Sequence, residues 1–178
     1  MSAGGLERLW RLLQDGGGLM AELIDPAGPA AELEPGLPAA LAAQGPRAEG
    51  RRAEYELLVE AIYEGYLLHY GAPRVVRVGD ADLRLLAGDR LYALGLARLV
   101  ALGDAMAVAE LADTITLGAL AQGAGEVELA EAVWEAGARA VGWGPSAGHG
   151  RAKKLVSDRS PEALEAMRTS AGAVPASP

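Results

Sequence analysis

Two pairs of carboxylates have spacings that would bring each pair together on a helix. Glu60 and Glu64 are four residues apart, and Glu110 and Asp113 are three apart, so each pair would share one helical face. Carboxylate oxygens are also the ligands that Mg²⁺ uses in proteins. A carboxylate-bridged metal pair in a helical bundle, however, needs Glu-x-x-His pairs on two helices, and the sequence contains none. We therefore predict no metal site and expect Glu110 and Asp113 to form a solvated stripe.

The two histidines are the remaining candidates for acid–base chemistry. His69 follows an apolar, tyrosine-rich stretch, and we expect a hydrogen-bonded structural histidine there rather than a catalytic one. His149 lies between Gly148 and Gly150, which predicts a mobile loop. The basic residues after it could contact a phosphate, but we favour a tail that is solvated or bound to the chain's own acidic face; these are Arg151, Lys153 and Lys154.

Composition excludes several other chemistries. The 178 residues include no cysteine, which rules out disulfides, thiolate metal ligands and cysteine nucleophiles. A formal charge of −8 argues against a nucleic-acid-binding surface. Glu7, Arg8 and Arg11 interrupt the apolar start of the chain, unlike a signal peptide. No uncharged apolar run of about 18 residues is present, so we expect no transmembrane segment and a cytoplasmic protein.

The elements that must position these residues are helices. Hydrophobic residues make up 51% of the chain but aromatic residues only 4%, so the apolar content is mostly Ala and Leu, which are strong helix formers. Apolar spacing near 3.6 residues predicts a short first helix closed by glycines 16–18, followed by four long helices. The long helices are expected at about 51–70, 80–102, 106–120 and 126–141, with Asp80 capping the second. The fold class is therefore all-α, an antiparallel helical bundle.

Three regions are expected along the chain. Residues 1–50 combine the first helix with a Pro- and Gly-rich segment that holds a short helix near 37–43. Residues 51–142 form the core of the bundle. Residues 143–178 read as a glycine-rich linker with room for one short helix, ending in a disordered tail.

Two residue types stand out inside the predicted helices. Glycines in helix interiors each cost roughly 1 kcal/mol relative to alanine, so they indicate either close helix–helix approach or drift in a glycine-rich sequence; they are Gly65, Gly88, Gly95 and Gly118. The five tyrosines indicate core packing, or else the wall of an apolar channel or a partner interface. Four of them lie on one helix and the fifth on the next: Tyr55, Tyr63, Tyr66, Tyr70 and Tyr92.

The segment from Leu85 to Leu94, LLAGDRLYAL, resembles the LAGD-x-L-x-x-x-A helix of the trans-polyprenyl diphosphate synthases. These are all-α enzymes that elongate isoprenoid diphosphates. Residues 57–63 upstream look like the helix that carries the family's first aspartate-rich motif. Residues 111–118 downstream look like the helix that ends in its Gly-Glu pair. The resemblance covers residues 51–122.

The sequence departs from that family where the catalytic carboxylates should be. The place of the first motif reads YEGYLLHY over residues 63–70, where only Glu64 could bind Mg²⁺. The Gly-Glu pair is Gly118-Ala119, and the family's arginine pair is echoed only by Arg74 and Arg77. A second aspartate-rich motif is expected beyond Trp143, where the sequence becomes glycine-rich instead.

The resemblance therefore implies a shortened relative, similar to the non-catalytic small subunit of heteromeric polyprenyl diphosphate synthases. Such a subunit would pair with a catalytic synthase subunit or with itself, and would shape the prenyl channel or the product length. It needs no cofactor. The implied ligand- or partner-binding residues lie on the helices around 55–70 and 83–102; they are Tyr63, Glu64, Tyr66, Leu67, Tyr70, Gly88, Asp89 and Tyr92.

Two alternatives remain open. The chain could be a shortened stand-alone enzyme that processes isoprenoids with Mg²⁺ bound by Glu64 and other carboxylates. It could instead be a helical scaffold that binds an apolar ligand or a partner helix, with the resemblance accidental.

Overall fold

The chain is all-helical, as its composition predicts. The structure, a computed structural model, describes residues 4–29 and 36–172. These residues form nine α-helices, together with a 3-10 turn at Pro46–Ala48. The helices are α1 (Gly5–Gly16), α2 (Gly18–Glu22), α3 (Leu37–Gln44), α4 (Arg52–Tyr70), α5 (Ala81–Ala101), α6 (Ala105–Gly123), α7 (Val127–Trp143), α8 (Ala147–Ser157) and α9 (Ala163–Gly172).

Helices α4 and α5 form a close antiparallel pair. Asp80 caps α5 by accepting the Leu83 N–H at 2.8 Å, as its position predicts. A Cβ at Gly65 would lie 2.9 Å from the Gly88 carbonyl oxygen, and a Cβ at Gly95 would lie 3.0 Å from the Leu58 carbonyl oxygen. These three glycines therefore permit the close helix–helix approach that was one of the two interpretations of the sequence.

Helices α6 and α7 form a second antiparallel pair around Trp134. A Cβ at Gly118 would lie 3.2 Å from the Trp134 Nε1 atom, and Gly137 packs directly against Thr114. The buried indole joins both pairs, because it belongs to the same core cluster as Tyr66 and Leu111. Gly137 is a close-contact glycine that the sequence pattern did not single out.

The N-terminal region packs onto this bundle instead of lying apart from it. Helix α3 carries Ala39 and Ala42 into the central core, and Gly45 meets the backbone of Gly142 on α7. The apolar face of α1 packs with residues of α4 and α5 in a second cluster. Beside it, Ile24 and Val76 form a single antiparallel bridge.

The C-terminal region differs from the expected linker. Residues 147–157 and 163–172 form two helices, α8 and α9, whose side chains share a third core cluster with α6 and α7. Ser146 caps α8 by accepting the His149 N–H at 3.0 Å, and His149 is buried, so the expected mobile loop is wrong. The sequence did not predict this helix because Gly148 and Gly150 lower its helix propensity, and propensity does not take tertiary packing into account. The expected disordered tail falls mainly on residues 173–178, which lie outside the described residues.

Candidate functional site

The predicted site lies along the seam between α4 and α5, and its carboxylate faces inward. Glu64 is fully buried. Its Oε1 atom accepts the backbone N–H groups of Arg74, Val75 and Val76 at 2.7, 2.6 and 3.1 Å. The loop that follows α4 is thus folded around this side chain, and Glu64 anchors the turn into α5.

Glu60 lies beside Glu64 and is also fully buried. Together with Arg74 these two carboxylates form what we call the buried acidic node. Its Oε2 atom accepts the Gly36 N–H at 2.9 Å, and its Oε1 atom is hydrogen-bonded by the Arg74 guanidinium. The Arg74 Nε atom lies 3.4 Å from Glu64 Oε2, and the guanidinium covers the ring of Tyr63 at 5.3 Å. Burial raises the pKa of the Glu60 carboxyl, and Arg74 and Gly36 offset that rise only in part.

This node does not fit Mg²⁺. Both carboxylates already bind an arginine or backbone N–H groups, and a cation placed among them would face the positive charge of Arg74. In residues 4–29 and 36–172, no group of three or more His, Asp or Glu side chains is placed to hold a metal ion. The structure therefore gives Glu60, Glu64 and Arg74 an architectural role, which the sequence did not reveal.

The tyrosines of α4 form a ladder from the core to the surface. The rings of Tyr63 and Tyr66 lie 5.8 Å apart, and those of Tyr66 and Tyr70 lie 5.4 Å apart. Trp134 packs against the first two rungs at 5.1 and 4.9 Å, and the Tyr66 hydroxyl accepts a hydrogen bond from Gln122 at 2.6 Å. Tyr66 is buried, Tyr63 is partly buried and Tyr70 is 44% exposed, so the ladder reaches the surface at Tyr70.

Residues on α5 complete the outer end of the seam. The Tyr92 ring is parallel to the His69 ring at 5.3 Å, and burial raises the pKa of the Tyr92 hydroxyl. The exposed Asp89 has its Oδ1 atom 3.1 Å from His69 Nε2. Gly88 sits under the same ring, and Leu67 is half-buried against the central core. His69 thus packs among aromatic rings as a structural residue, but the expected hydrogen bond is absent, since its buried Nε2 atom has no hydrogen-bond partner among the described residues.

One face of α5 remains uncovered by the rest of the chain. We name the α5 outer face by the residues that form it: Leu85, Leu86, Asp89, Ala93, Ala97 and Val100. All six are exposed, and Leu86 and Val100 keep 64% and 63% of their surface in contact with solvent. The opposite side of α5 carries Gly88 and Gly95 against α4. Two of the eight residues of the predicted site, Tyr70 and Asp89, are therefore exposed at a surface.

Comparisons with known proteins add no family. No protein-family model matches the chain, and no match was found among curated proteins or among solved structures. Within the described part of the chain, none of the helices combines the length and apolar character that crossing a bilayer requires.

Proposed function

We propose that this chain is an accessory subunit that does not itself catalyse prenyl transfer and that binds a partner protein through the α5 outer face. The observation that carries the proposal is the exposure of Leu85, Leu86 and Val100 along one side of a 21-residue helix. Exposed apolar side chains are ordinary when scattered singly, but a row of them on one face is typical of an interaction surface. The opposite side of the helix is held by Gly88 and Gly95 against α4, so the face is presented on a rigid support.

The resemblance in residues 85–94 supports a catalytic polyprenyl diphosphate synthase as the partner, or a second copy of this chain. Those residues include four members of the α5 outer face, Leu85, Leu86, Asp89 and Ala93. In such a complex the role of this chain is steric. Tyr70 and the half-buried Tyr92 stand beside the face and would limit the space for a growing prenyl chain. The occupied carboxylates of Glu60 and Glu64 are consistent with this division of labour.

The direct test is binding to a full-length synthase that carries both aspartate-rich motifs and comes from the same genome. We expect the two purified chains to co-elute in size-exclusion chromatography with light scattering. Leu86→Glu and Val100→Glu should each weaken the complex at least tenfold, because each places a charge in the apolar row. Val127→Glu is the matched control: Val127 is 52% exposed but lies at the start of α7, so binding should not change.

Three results would discriminate the alternatives. A concentration-dependent dimer of this chain that Leu86→Glu disperses would identify the second copy as the partner. Turnover of an allylic diphosphate by this chain alone would overturn the proposal in favour of an enzyme. A chain that stays monomeric and does not bind the synthase would also contradict it.

A further inference from the structure

A buried chain of hydrogen-bonded side chains, here called the relay, joins helices α6, α8 and α9. His149 of α8 is 3% exposed. Its Nδ1 atom lies 2.8 Å from the hydroxyl oxygen of Ser170 on α9, and its Nε2 atom lies 3.0 Å from the Glu110 Oε2 atom on α6. A serine, a histidine and a carboxylate in hydrogen-bonded order have the connectivity of a nucleophile, a base and an orienting acid.

The charge of Glu110 decides how the histidine proton is placed. Burial raises the pKa of this carboxyl, but hydrogen bonds from His149 and Lys153 outweigh that effect, so the pKa lies below its usual range. An ionised carboxylate can only accept hydrogen bonds. The network therefore places the proton of a neutral His149 on Nε2, which leaves the Nδ1 lone pair to accept the Ser170 hydroxyl proton.

Lys153 holds the Glu110 carboxylate in place. Its Nζ atom donates to both Glu110 oxygens at 3.0 and 3.1 Å and to Asp113 Oδ2 at 2.7 Å. The expected solvated stripe of Glu110 and Asp113 is thus wrong for Glu110, which is buried and held from two sides. Lys153, on the same helix as His149, thus holds the carboxylate that keeps the imidazole in one orientation, as a positioned base requires.

Ser170 borders open space on two sides. A cavity of about 20 Å³ is lined by Ser170, His149 and Ser146 together with Arg139 and Trp143, which is room for about one water molecule. Ser170 also lines a groove of about 840 Å³ between α8 and α9. The wall of that groove includes Ala152, Leu155 and Ala166, an apolar surface for a short acyl chain.

The beginning of α8 lies at the same groove. Ser146 and Gly148, the cap and the second residue of α8, both line it. The first N–H groups of an α-helix have no intrahelical acceptor, and the helix dipole is positive at that end. The start of α8 therefore supplies hydrogen-bond donors to one wall of the groove, which is also lined by Arg151 and Lys154 and by the carboxylates of Asp158, Glu162 and Glu165.

We propose that Ser170, activated by His149 and positioned by Glu110, is a nucleophile for short-chain carboxylic esters bound in the groove between α8 and α9. The Ser170 oxygen attacks the ester carbonyl carbon while its proton passes to His149 Nδ1. The bond between the carbonyl carbon and the alkoxy oxygen then breaks, and the leaving alkoxide takes that proton and departs as the alcohol. Water attacks the acyl-serine in the same way, releasing the carboxylic acid and restoring the Ser170 hydroxyl.

The first experiment uses the unmodified full-length chain, so it does not depend on any variant folding. The chain is incubated with a fluorophosphonate probe, digested, and mapped by mass spectrometry. We expect the label on Ser170, and we expect unfolding in urea before incubation to abolish it. A folded chain that carries no label at Ser170 would overturn the proposal and leave the relay a structural one.

Variants then test the relay itself. Ser170→Ala should lower labelling to background and slow hydrolysis of p-nitrophenyl butyrate about a hundredfold or more, the range expected for losing a positioned group. Ser157→Ala is the matched control, since Ser157 is an exposed serine of α8 that donates to the Lys153 carbonyl oxygen and lies outside both the groove and the relay. Glu110→Gln should move the pH profile of the remaining hydrolysis, because an amide cannot fix the Nε2–H form. An unchanged rate in Ser170→Ala would contradict the mechanism.

Discussion

Gly88 lies directly beneath the ring of His69: a Cβ at Gly88 would stand 2.6 Å from His69 Cδ2. The His69 ring in turn stacks on Tyr92 one turn further along α5. The missing side chain at position 88 therefore lets α4 place an aromatic ring on the surface of α5. A glycine that weakens the helix locally is compensated by the contact it allows.

The seam glycines should respond to substitution against the trend of helix propensity. Gly95→Ala should destabilise the protein by about 1–3 kcal/mol, the usual cost of overpacking, because its new methyl group would meet Ile62 and the Leu58 carbonyl oxygen. Gly123→Ala is the control, since nothing lies within 4 Å of a Cβ there, and it should be neutral or stabilising. Urea unfolding followed by circular dichroism measures both; equal effects would contradict the close-contact interpretation.

Arg74 should be indispensable to the buried acidic node. Arg74→Met removes the cation from Glu60 and Glu64, both fully buried, and should cost about 3–5 kcal/mol, as for other broken buried ion pairs. Arg77→Met is the matched control. Arg77 lies three residues further along the chain and is exposed, so its loss should change stability by less than about 0.5 kcal/mol. Thermal unfolding of the two variants makes the comparison.

The stability that Arg74→Met loses relative to wild type should also depend on pH, and the direction of that dependence can be predicted. The folded pKa of Glu60 already lies above its unfolded value because of burial, so ionising Glu60 opposes folding, and losing Arg74 should increase that opposition. The stability deficit of Arg74→Met should therefore be largest at neutral pH and should shrink as the pH falls toward the unfolded pKa of Glu60. A deficit that stays constant between pH 7 and pH 4 would show that ionisation of the node is not its cause.

The long helices and the all-α class could be predicted, because apolar spacing and propensity are local properties of the sequence. Asp80 as the cap of α5 belongs to the same category. The node of Glu60, Glu64 and Arg74 could not be predicted, because its partners come from α4, the following loop and Gly36. Spacing showed only that the two carboxylates share a face, and the more familiar chemistry for such a pair was a metal site.

The pair of helices α8 and α9, here called the C-terminal hairpin, was not predicted for a related reason. Gly148 and Gly150 make residues 147–157 a poor helix by propensity, but burial of His149, Ala152 and Val156 stabilises it. Tertiary packing overrides weak local preference where a face is fully covered. The one local signal that could have indicated α8 is Ser146, which caps it.

Asp104 should stabilise the fold in its ionised form. Burial raises its pKa, but hydrogen bonds from Tyr55, from the Ala107 N–H and from Arg47 outweigh that effect and hold the pKa below its usual value. Its contribution is therefore present above the unfolded pKa, near 3.8, and is lost as the pH falls through the lower folded value. Asp104→Asn keeps a residue suited to capping α6 but removes the charge.

We expect Asp104→Asn to cost about 1–3 kcal/mol at pH 7, the usual value for hydrogen bonds to a charged group, and clearly less near pH 3. Denaturant unfolding of wild type and variant at the two pH values is the measurement. The exposed Asp82 in the first turn of α5 provides the control, since Asp82→Asn should show a small difference at both. An equal loss for Asp104→Asn at both pH values would mean that the charge contributes nothing.

The neighbouring lysines of α8 should differ in their effect on stability. Lys153 bonds Glu110 and Asp113 across two helices, whereas Lys154 pairs only with Asp158 on the surface one turn away. Lys153→Met should cost about 1–2 kcal/mol, between exposed pairs and buried charged hydrogen bonds, and Lys154→Met at most about 0.5 kcal/mol. Burial alone would lower the pKa of Lys153, but its bonds to Asp113 and Glu110 outweigh that effect and hold the pKa above its usual value.

The Lys153 contribution should therefore be complete below the unfolded pKa of about 10.5 and should fade as the pH rises through the higher folded value. The difference between wild type and Lys153→Met should thus be largest near neutral pH and smaller in strong alkali, whereas Lys154→Met should show little dependence. Equal losses from the two lysines at pH 7 would mean that the contacts from α8 to α6 do not hold the C-terminal hairpin. The hairpin would then be fixed by the apolar contacts of Ala152, Val156 and Met167 alone.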